Sequence, residues 1–473
     1  MSRHQKKVAI IVDNPRRDLR GLVLLAVKLR ELGIKVFLVP MYLQGYEIPL
    51  LKPNLVIVNY ARTANKEQLE NYRKLGIHIA VLDTEGGIFS ENSFDSPHNH
   101  ANHYVSSGLN SVVDYYLFWG ERFYEAFVKH KVLADEDMAI TGCPRYDLCY
   151  PPWNHLLKPV LKTDSDYILF NMNFSAINPE FTRDGSKEKL SFVSQGWDSR
   201  YVDQLFTELS AVWPMYISVI KDCAKSFPGQ NFLVRPHPFE SQTPYKKHFR
   251  GVPNIFVNGD GDVFDAISGA AVVLHLNCGS AVDALMMGKP AVSLEFLNTP
   301  FLRAHTPLPS KVSRKTVSFD DLKFQIRYLD RDISGPVISE EVESKIKEWF
   351  GPLDGSSINR VVEFLIRKFD ELQQIRPKTR WFDVWLALKG SRNRPRFSSF
   401  CIGVSSIILG SALVSLIMNR ILTKRRKKSF SAKEVAEVLK IVNGLNVPKL
   451  MAARNAAGKT GITKLSAVEI VEK

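Results

Sequence analysis

Short unbroken apolar runs alternate along most of the chain with longer stretches whose apolar residues recur every third or fourth position. The short runs read as buried strands and the longer stretches as helices that cover them. Lys7 to Val12 is a first strand, and Leu19 to Leu32 is an amphipathic helix stopped by Gly33. Ile34 to Val39 and Leu55 to Asn59 are the next strands. Asn65 to Leu75 is a helix ended by Gly76, and Ile77 to Leu82 is a fourth strand. Tyr115 to Trp119 and Met138 to Thr141 are strands on either side of a helix from Glu121 to His130. After the Pro-rich polar stretch Pro151 to Ser165, which reads as a linker, Tyr167 to Asn171 opens a second series. It continues with a long helix from Val202 to Phe227, containing Pro214, and with strands at Phe232–Val234, Ile255–Val257, Ala270–Leu274 and Ala291–Leu294. Short helices follow at Asp262–Ser268 and Ala281–Met287, and closing helices at Phe319–Leu329, Ser339–Phe350 and Ser356–Leu372. Pro97–His103, Asn173–Arg200 and Phe296–Ser310 lack a periodic apolar set and read as loops.

Strands alternating with helices predict an α/β fold with a parallel sheet in each of two domains. The expected division is residues 1–155 and 156–375, then a basic aromatic segment 376–396, an apolar helix 397–418, and a basic, then helical, tail 419–473. Phe397 to Met418 carries no charge. As a helix it would span roughly 33 Å at ~1.5 Å per residue, enough for ~30 Å of hydrocarbon. In the tail, Ser431 and Glu434 form a capping box for a helix from Val435 to Val442. The weak pattern beyond Gly444 assigns no chemistry and reads as a docking or partly disordered segment.

The net charge of +14 suggests nucleic acid until it is located. Residues 376–428 hold 13 Lys and Arg against one acid, so nearly all of the excess brackets the apolar segment. That placement points to an anionic membrane surface and away from nucleic acid. The five cysteines are scattered without a CxxC, which argues against both a zinc site and a disulfide framework. Val8–Val12 is too short for a signal peptide, so the expected location is a single-pass inner (cytoplasmic) membrane protein with its catalytic domains in the cytosol.

Candidate chemistry lies where strands end, because open α/β sheets bind ligands at the carboxyl edge. Phe232–Val234 runs into Arg235-Pro236-His237-Pro238. Ala270–Leu274 runs into Asn277-Cys278-Gly279-Ser280 and a helix start, where backbone N–H groups suit a phosphate. The turn is equally readable as an ordinary βαβ connection. The fourth strand empties into Asp83-Thr84-Glu85-Gly86-Gly87, either a solvated turn or a site. His98, His100 and His103 could ligate a metal, but no acidic or cysteine partner has matching spacing, and a polar loop near substrate is the preferred reading. Arg145 follows the strand at Met138.

Several segments appear together and in order: Pro15-Arg16-Arg17-Asp18 before LRGLVLLAVKLRELG, LDTEGG at Leu82, FWGERFYEAF at Phe118, TGCPRYD at Thr141, VRPHPFES at Val234 and HLNCGSAVDALMMGKPAVSLE at His275. Over Lys7 to Glu295 the chain resembles the bacterial surface-carbohydrate-biosynthesis proteins, a GT-B-like family. The resemblance implies two Rossmann-like domains facing across a cleft, with the nucleotide on the second and the acceptor mainly on the first. It implies a glycosyltransferase of polysaccharide or lipopolysaccharide biosynthesis, with a nucleotide-sugar donor, a glycan or lipid-linked acceptor, no cofactor and no metal; the apolar segment and its basic flanks lie outside the resemblance and add the expectation of a membrane anchor. Homo-oligomerisation stays open. Carried over by residue, Gly279 and Ser280 would hold the distal phosphate, and Arg235 and His237 would neutralise the diphosphate. Glu295 would bind a ribose or sugar hydroxyl. Asp283 is equally readable as a first-turn carboxylate. Glu85 is the first choice of general base and Asp83 the second. Arg17 and Arg145 would meet phosphates. Many relatives have a hydroxyl residue where this chain has Gly279, and Glu where it has Asp283. A sugar-nucleotide epimerase, a polyol-phosphate transferase and a non-catalytic membrane scaffold remain alternatives.

Overall fold

The computed structural model describes residues 5–85, 96–161, 166–180, 185–194, 197–328, 340–371, 428–445, 451–457 and 464–472. The chain folds as two compact units. The first takes residues 1–87, 97–156 and 347–473, and the second takes 88–96 and 157–346. The chain thus returns to its first unit after residue 346, whereas the apolar pattern suggested a second domain running to 375.

The first unit is built on β1 (Lys7–Val12), β2 (Lys35–Pro40), β3 (Leu55–Val58), β4 (His78–Leu82), β5 (Tyr115–Phe118) and β6 (Met138–Ile140). These pair in parallel, in the order β2-β1-β3-β4-β5-β6. Val8, Ala9 and Val12 are fully buried, as expected for strands covered on both faces. The helix Pro15–Glu31 follows β1 directly. Pro15 sits in its first turn and the Asn14 side chain accepts from the Arg16 amide, while Asp18 Oδ2 accepts from the Asn14 amide at 3.0 Å. These contacts fix the exit from β1, because they satisfy donors that a helix start otherwise leaves open. A Cβ added to Gly21 would lie 2.9 Å from the Arg145 amide nitrogen, so glycine lets the loop after β6 pack against this helix.

The second unit holds β7 (Tyr167–Asn171), β8 (Phe232–Arg235), β9 (Ile255–Val257), β10 (Ala270–His275), β11 (Ala291–Ser293) and β12 (Arg314–Lys315). All pairs are parallel, in the order β12-β11-β10-β7-β8-β9. Its core joins Phe170, Phe232 and Leu274 from the sheet to Tyr216 and Ile220 of the helix Ser199–Ser226. That helix runs unbroken past Pro214.

Three stretches read as loops contain helix: Pro97–Ser106, Gly185–Ser194, and the pair Pro300–His305 and Pro307–Lys311. Each buries few apolar residues, Ala101 and Tyr104 in the first case, so the periodic signal is faint. The tail departs further from expectation. Beyond the helix Ala432–Asn443 it forms β13 (Met451–Ala457) and β14 (Lys464–Glu472), an antiparallel hairpin. β14 pairs antiparallel with β2, with Val468 opposite Leu38, and extends the first sheet to eight strands. Glu47, with no exposed surface, accepts from the Ser466 and Ala467 amides at 2.6 and 2.7 Å. The tail is therefore an integral part of the first unit. No described helix is long and apolar enough to cross a membrane, and Phe397–Met418 lies outside the described residues, as does the basic segment before it.

Candidate functional site

In each sheet the strand order reverses beside the first strand of the unit, between β1 and β3 and between β7 and β10. Such switch points open a crevice at the carboxyl edge, because successive connections leave on opposite faces. Both are filled with polar groups.

In the first unit, Asp13 and Asn14 follow β1, Asn59 and Tyr60 follow β3, and Asp83 follows β4. A hollow here is lined by Asp18, Asp83, Thr84, Cys143 and Arg145. Arg17 binds Asp18 at 2.7 Å and Asp13 at 3.2 Å, and its Nη1 lies 3.8 Å from Glu85. Burial opposes the Arg17 charge, but Asp18, Glu85 and Asp13 outweigh it, so its pKa rises above the ordinary guanidinium value. Arg62 pairs with Glu85 at 3.3 Å and lies over the Tyr60 ring. Glu85 is half exposed and held between two arginines.

Asp83 is different. It is 5% exposed. Its Oδ1 accepts from the Glu85 amide at 2.9 Å, and its Oδ2 from the Tyr116 hydroxyl at 3.4 Å. Trp119 Nε1 donates to its carbonyl at 2.7 Å. Burial raises its pKa from 3.8 to about 6, with Arg62 opposing. Arg145 is buried and stacks over Tyr146 at 5.3 Å. Four expected residues, Arg17, Asp83, Glu85 and Arg145, thus gather at one sheet edge.

The histidines do not join them. They lie on the helix Pro97–Ser106 and diverge. His98 meets His130, and His103 Nε2 lies 2.6 Å from Thr63 Oγ1. His100 packs against Tyr104, Phe123 and Phe127, and burial lowers its pKa to about 3. The segment read as a polar loop is thus a helix, and His100 alone of the three packs into its aromatic cluster.

In the second unit, Asn171 at the end of β7 pairs with Arg235 on one side and His275 on the other. Asn173 Nδ2 donates to the Asn277 carbonyl at 3.2 Å, bridging the switch point. Arg235 is buried and donates to the Gly261 carbonyl at 3.0 Å. Phe239 N–H donates to His237 Nδ1, which leaves the proton of a neutral ring on Nε2. Glu240 anchors this loop. It accepts from the His237 amide at 2.9 Å and from the Tyr245 hydroxyl, and burial raises its pKa to about 7.

Asn277 adopts a left-handed φ of 49° and exchanges hydrogen bonds with Asn298 at 2.9 and 3.0 Å. Cys278 N–H points to His275 Nδ1 at 3.4 Å, and Ser280 Oγ donates to Cys278 Sγ. Burial raises the Cys278 pKa above that of a free thiol. The Ala281 and Val282 amides close on the Cys278 and Gly279 carbonyls at 3.0 Å. Asp283 is buried in the first turn of the helix Ser280–Met286.

Glu295 takes a structural place instead of the expected ribose contact. It accepts from Ser293, Ser310, Asn298 and Arg303 at 2.5–3.3 Å. A carboxylate offers about four lone-pair positions, so these donors leave none for a sugar hydroxyl. Burial acts to raise its pKa, but the donors, Ser310 first, bring it down to about 2.

Sequence reading missed Asp13, Asp18, Arg62, Asn173, Glu240 and Lys428. Lys428 Nζ binds Asp13 at 2.5 Å, across 415 positions of sequence. The first two stood in DNPRRD and were legible as polar groups directly after a strand. The rest carried no local signal.

No family model matches the chain, and no curated protein matches it. The resemblance to surface-carbohydrate-biosynthesis proteins therefore remains an expectation. Among solved structures, the chain is similar to UDP-GlcNAc 2-epimerase from Neisseria meningitidis bound to UDP-GlcNAc, at 13% identity, TM-score 0.44, and coverage of 77% of this chain and 100% of that one. The Methanocaldococcus jannaschii UDP-GlcNAc 2-epimerase gives 14%, 0.46, and coverage of 76% and 99%. The wall teichoic acid polymerase TagF gives 12%, 0.44, and coverage of 77% and 90%. Likeness at this level assigns no activity.

Proposed function

We propose that the chain is an enzyme of the GT-B type that moves a sugar from a nucleotide-activated donor to a surface-glycan or lipid-linked acceptor. The observation that carries this reading is the polar filling of both switch points, one rich in amide and cationic groups, the other in carboxylates and arginines. In the second unit Arg235, the Nε2–H of His237, and the turn at Gly279 and Ser280 take the diphosphate. In the first unit Arg17, Arg62 and Glu85 bind the acceptor, and Asp83 takes the proton of its hydroxyl. Asp83 is preferred to Glu85 as base because its pKa of about 6 leaves it ionised yet basic near neutral pH. The freed hydroxyl oxygen bonds to the anomeric carbon. The bond from that carbon to the diphosphate breaks, and the nucleoside diphosphate leaves with the electron pair. Anchoring at the membrane rests on the sequence of residues 376–427.

The test uses the full chain with a panel of nucleotide sugars, with binding followed by calorimetry. Transfer predicts donor binding, and release of nucleoside diphosphate only when acceptor is added. Donor whose sugar stereochemistry changes without acceptor would favour an epimerase. Failure to bind any nucleotide would favour a scaffold.

A further inference from the structure

Two loops at the carboxyl edge of the second sheet are tied together by the Glu240 carboxylate. Glu240 is 1% exposed and lies in the loop after β8, three residues beyond His237. Its Oε2 accepts from the His237 amide at 2.9 Å and its Oε1 from the Tyr245 hydroxyl. The Phe174 amide and the Asn178 side chain, both in the loop after β7, donate to it as well. The two loops also pair directly. Pro179 bridges Glu240 in antiparallel fashion, the Glu180 amide donates to the Phe239 carbonyl at 2.8 Å, and the Ser241 amide donates to the Asn178 carbonyl at 3.0 Å. One loop carries His237. The other carries Asn173, which donates to the Asn277 carbonyl across the switch point.

These four donors are uncharged, and they fill the roughly four lone-pair positions of an ionised carboxylate. Protonation turns one position into a donor that faces other donors. It also replaces charge-assisted bonds with neutral ones of about half the strength. The clamp on both loops is therefore strong only in the ionised form. Burial opposes that form and raises the pKa from 4.5 to about 7. The titratable groups facing Glu240 are His237 on its own loop, Tyr245 from the helix Thr243–His248 and Tyr216 from the helix Ser199–Ser226. Burial keeps both phenols neutral. Because the folded pKa is raised, the stability contributed by Glu240 is lost as pH rises through about 7, where the clamp tightens.

We infer that Glu240 is a positioning residue of the second unit: ionised, it holds His237 and Asn173 in place for a diphosphate, and protonation releases both loops. This role rests on reading that sheet edge as the donor seat.

Hydrogen exchange in the full chain, followed by mass spectrometry over residues 173–180 and 236–241, reads the clamp without any ligand. From about pH 6 to about pH 8 the ionised fraction of a group titrating at about 7 rises about tenfold. Protection of the wild type relative to Glu240→Gln is expected to rise by that factor. The affinity for inorganic pyrophosphate, measured by calorimetry, is expected to follow the same ratio, because apparent affinity scales with the competent fraction. Dividing by the variant removes the titration of His237 and of pyrophosphate itself. Tyr245→Phe keeps the carboxylate and removes one donor, so its exchange midpoint is expected at higher pH. Flat ratios, or an unmoved midpoint in Tyr245→Phe, would overturn the role of Glu240. Absence of pyrophosphate binding in every protein at every pH would overturn the donor-seat reading instead, while exchange still decides whether Glu240 clamps the loops.

Discussion

The Ala467 amide donates to the Glu47 carboxylate at 2.7 Å, although 420 positions of sequence separate the two residues. Glu47 takes the Ser466 amide with its other oxygen. Hydrogen bonds to a buried charge contribute about 1.5–3 kcal/mol each. Glu47→Ala should therefore destabilise the first unit by roughly 3 kcal/mol or more, whereas Glu47→Gln, which keeps one acceptor, should cost about half as much. Denaturant unfolding followed by tryptophan fluorescence measures both. Equal loss in the two variants would show that the carboxylate does not hold the hairpin.

Asp83 links pH to both activity and stability. Its folded pKa of about 6 exceeds the ordinary 3.8, so the folded state binds a proton that the unfolded state releases. The stability it contributes is full below 3.8 and is lost as pH rises through about 6. In the proposed transfer, activity has the opposite sign, because the ionised form would be the base. Transfer should fall about tenfold per pH unit below about 6. Asp83→Asn should abolish that limb and most of the rate, and Glu85→Gln should keep the limb while weakening acceptor binding.

Glu295 predicts the reverse dependence. Its pKa of about 2 lies below the ordinary 4.5, so its contribution is present above 4.5 and lost as the medium is acidified toward 2. Glu295→Ala leaves Ser310, Ser293 and Arg303 without their acceptor. It should cost about 2–4 kcal/mol in thermal or denaturant unfolding, with donor affinity in the folded fraction unchanged. A selective loss of donor affinity would return this residue to the ligand site.

Gly21 makes a steric prediction. A Cβ there would meet the Arg145 and Pro144 backbone at 2.9–3.0 Å. Gly21→Ala should destabilise by roughly 1–3 kcal/mol through overpacking. It should also weaken binding of the proposed acceptor, because the displaced loop carries Arg145, which lines the hollow beside Asp83. Stability and binding that both match the wild type would mean that the loop yields freely.

The strands and most helices were legible because burial on both faces leaves continuous apolar runs. So were the groups directly after strands, Asp83 and Arg235 among them, since topology alone puts strand ends at an edge. Roles within that edge were not legible. Glu85 and Asp83 are two residues apart, and only burial under Tyr116 and Trp119 separates their chemistry. Glu295 looked like a ligand contact until Ser310 and Arg303 closed around it. The hairpin escaped notice because Met451–Ala457 is rich in alanine, and its partner β2 lies at the other end of the chain.

That hairpin also sets the order in which the protein can be finished. β2 leaves the ribosome early, but its outer neighbour, β14, is made only after the whole second unit. At ~5–20 residues per second, synthesis of the intervening chain takes on the order of a minute. For that time the edge of β2 carries unpaired amides and carbonyls. The first unit is therefore begun well before it can be completed, and a nascent chain needs protection there until β14 has emerged.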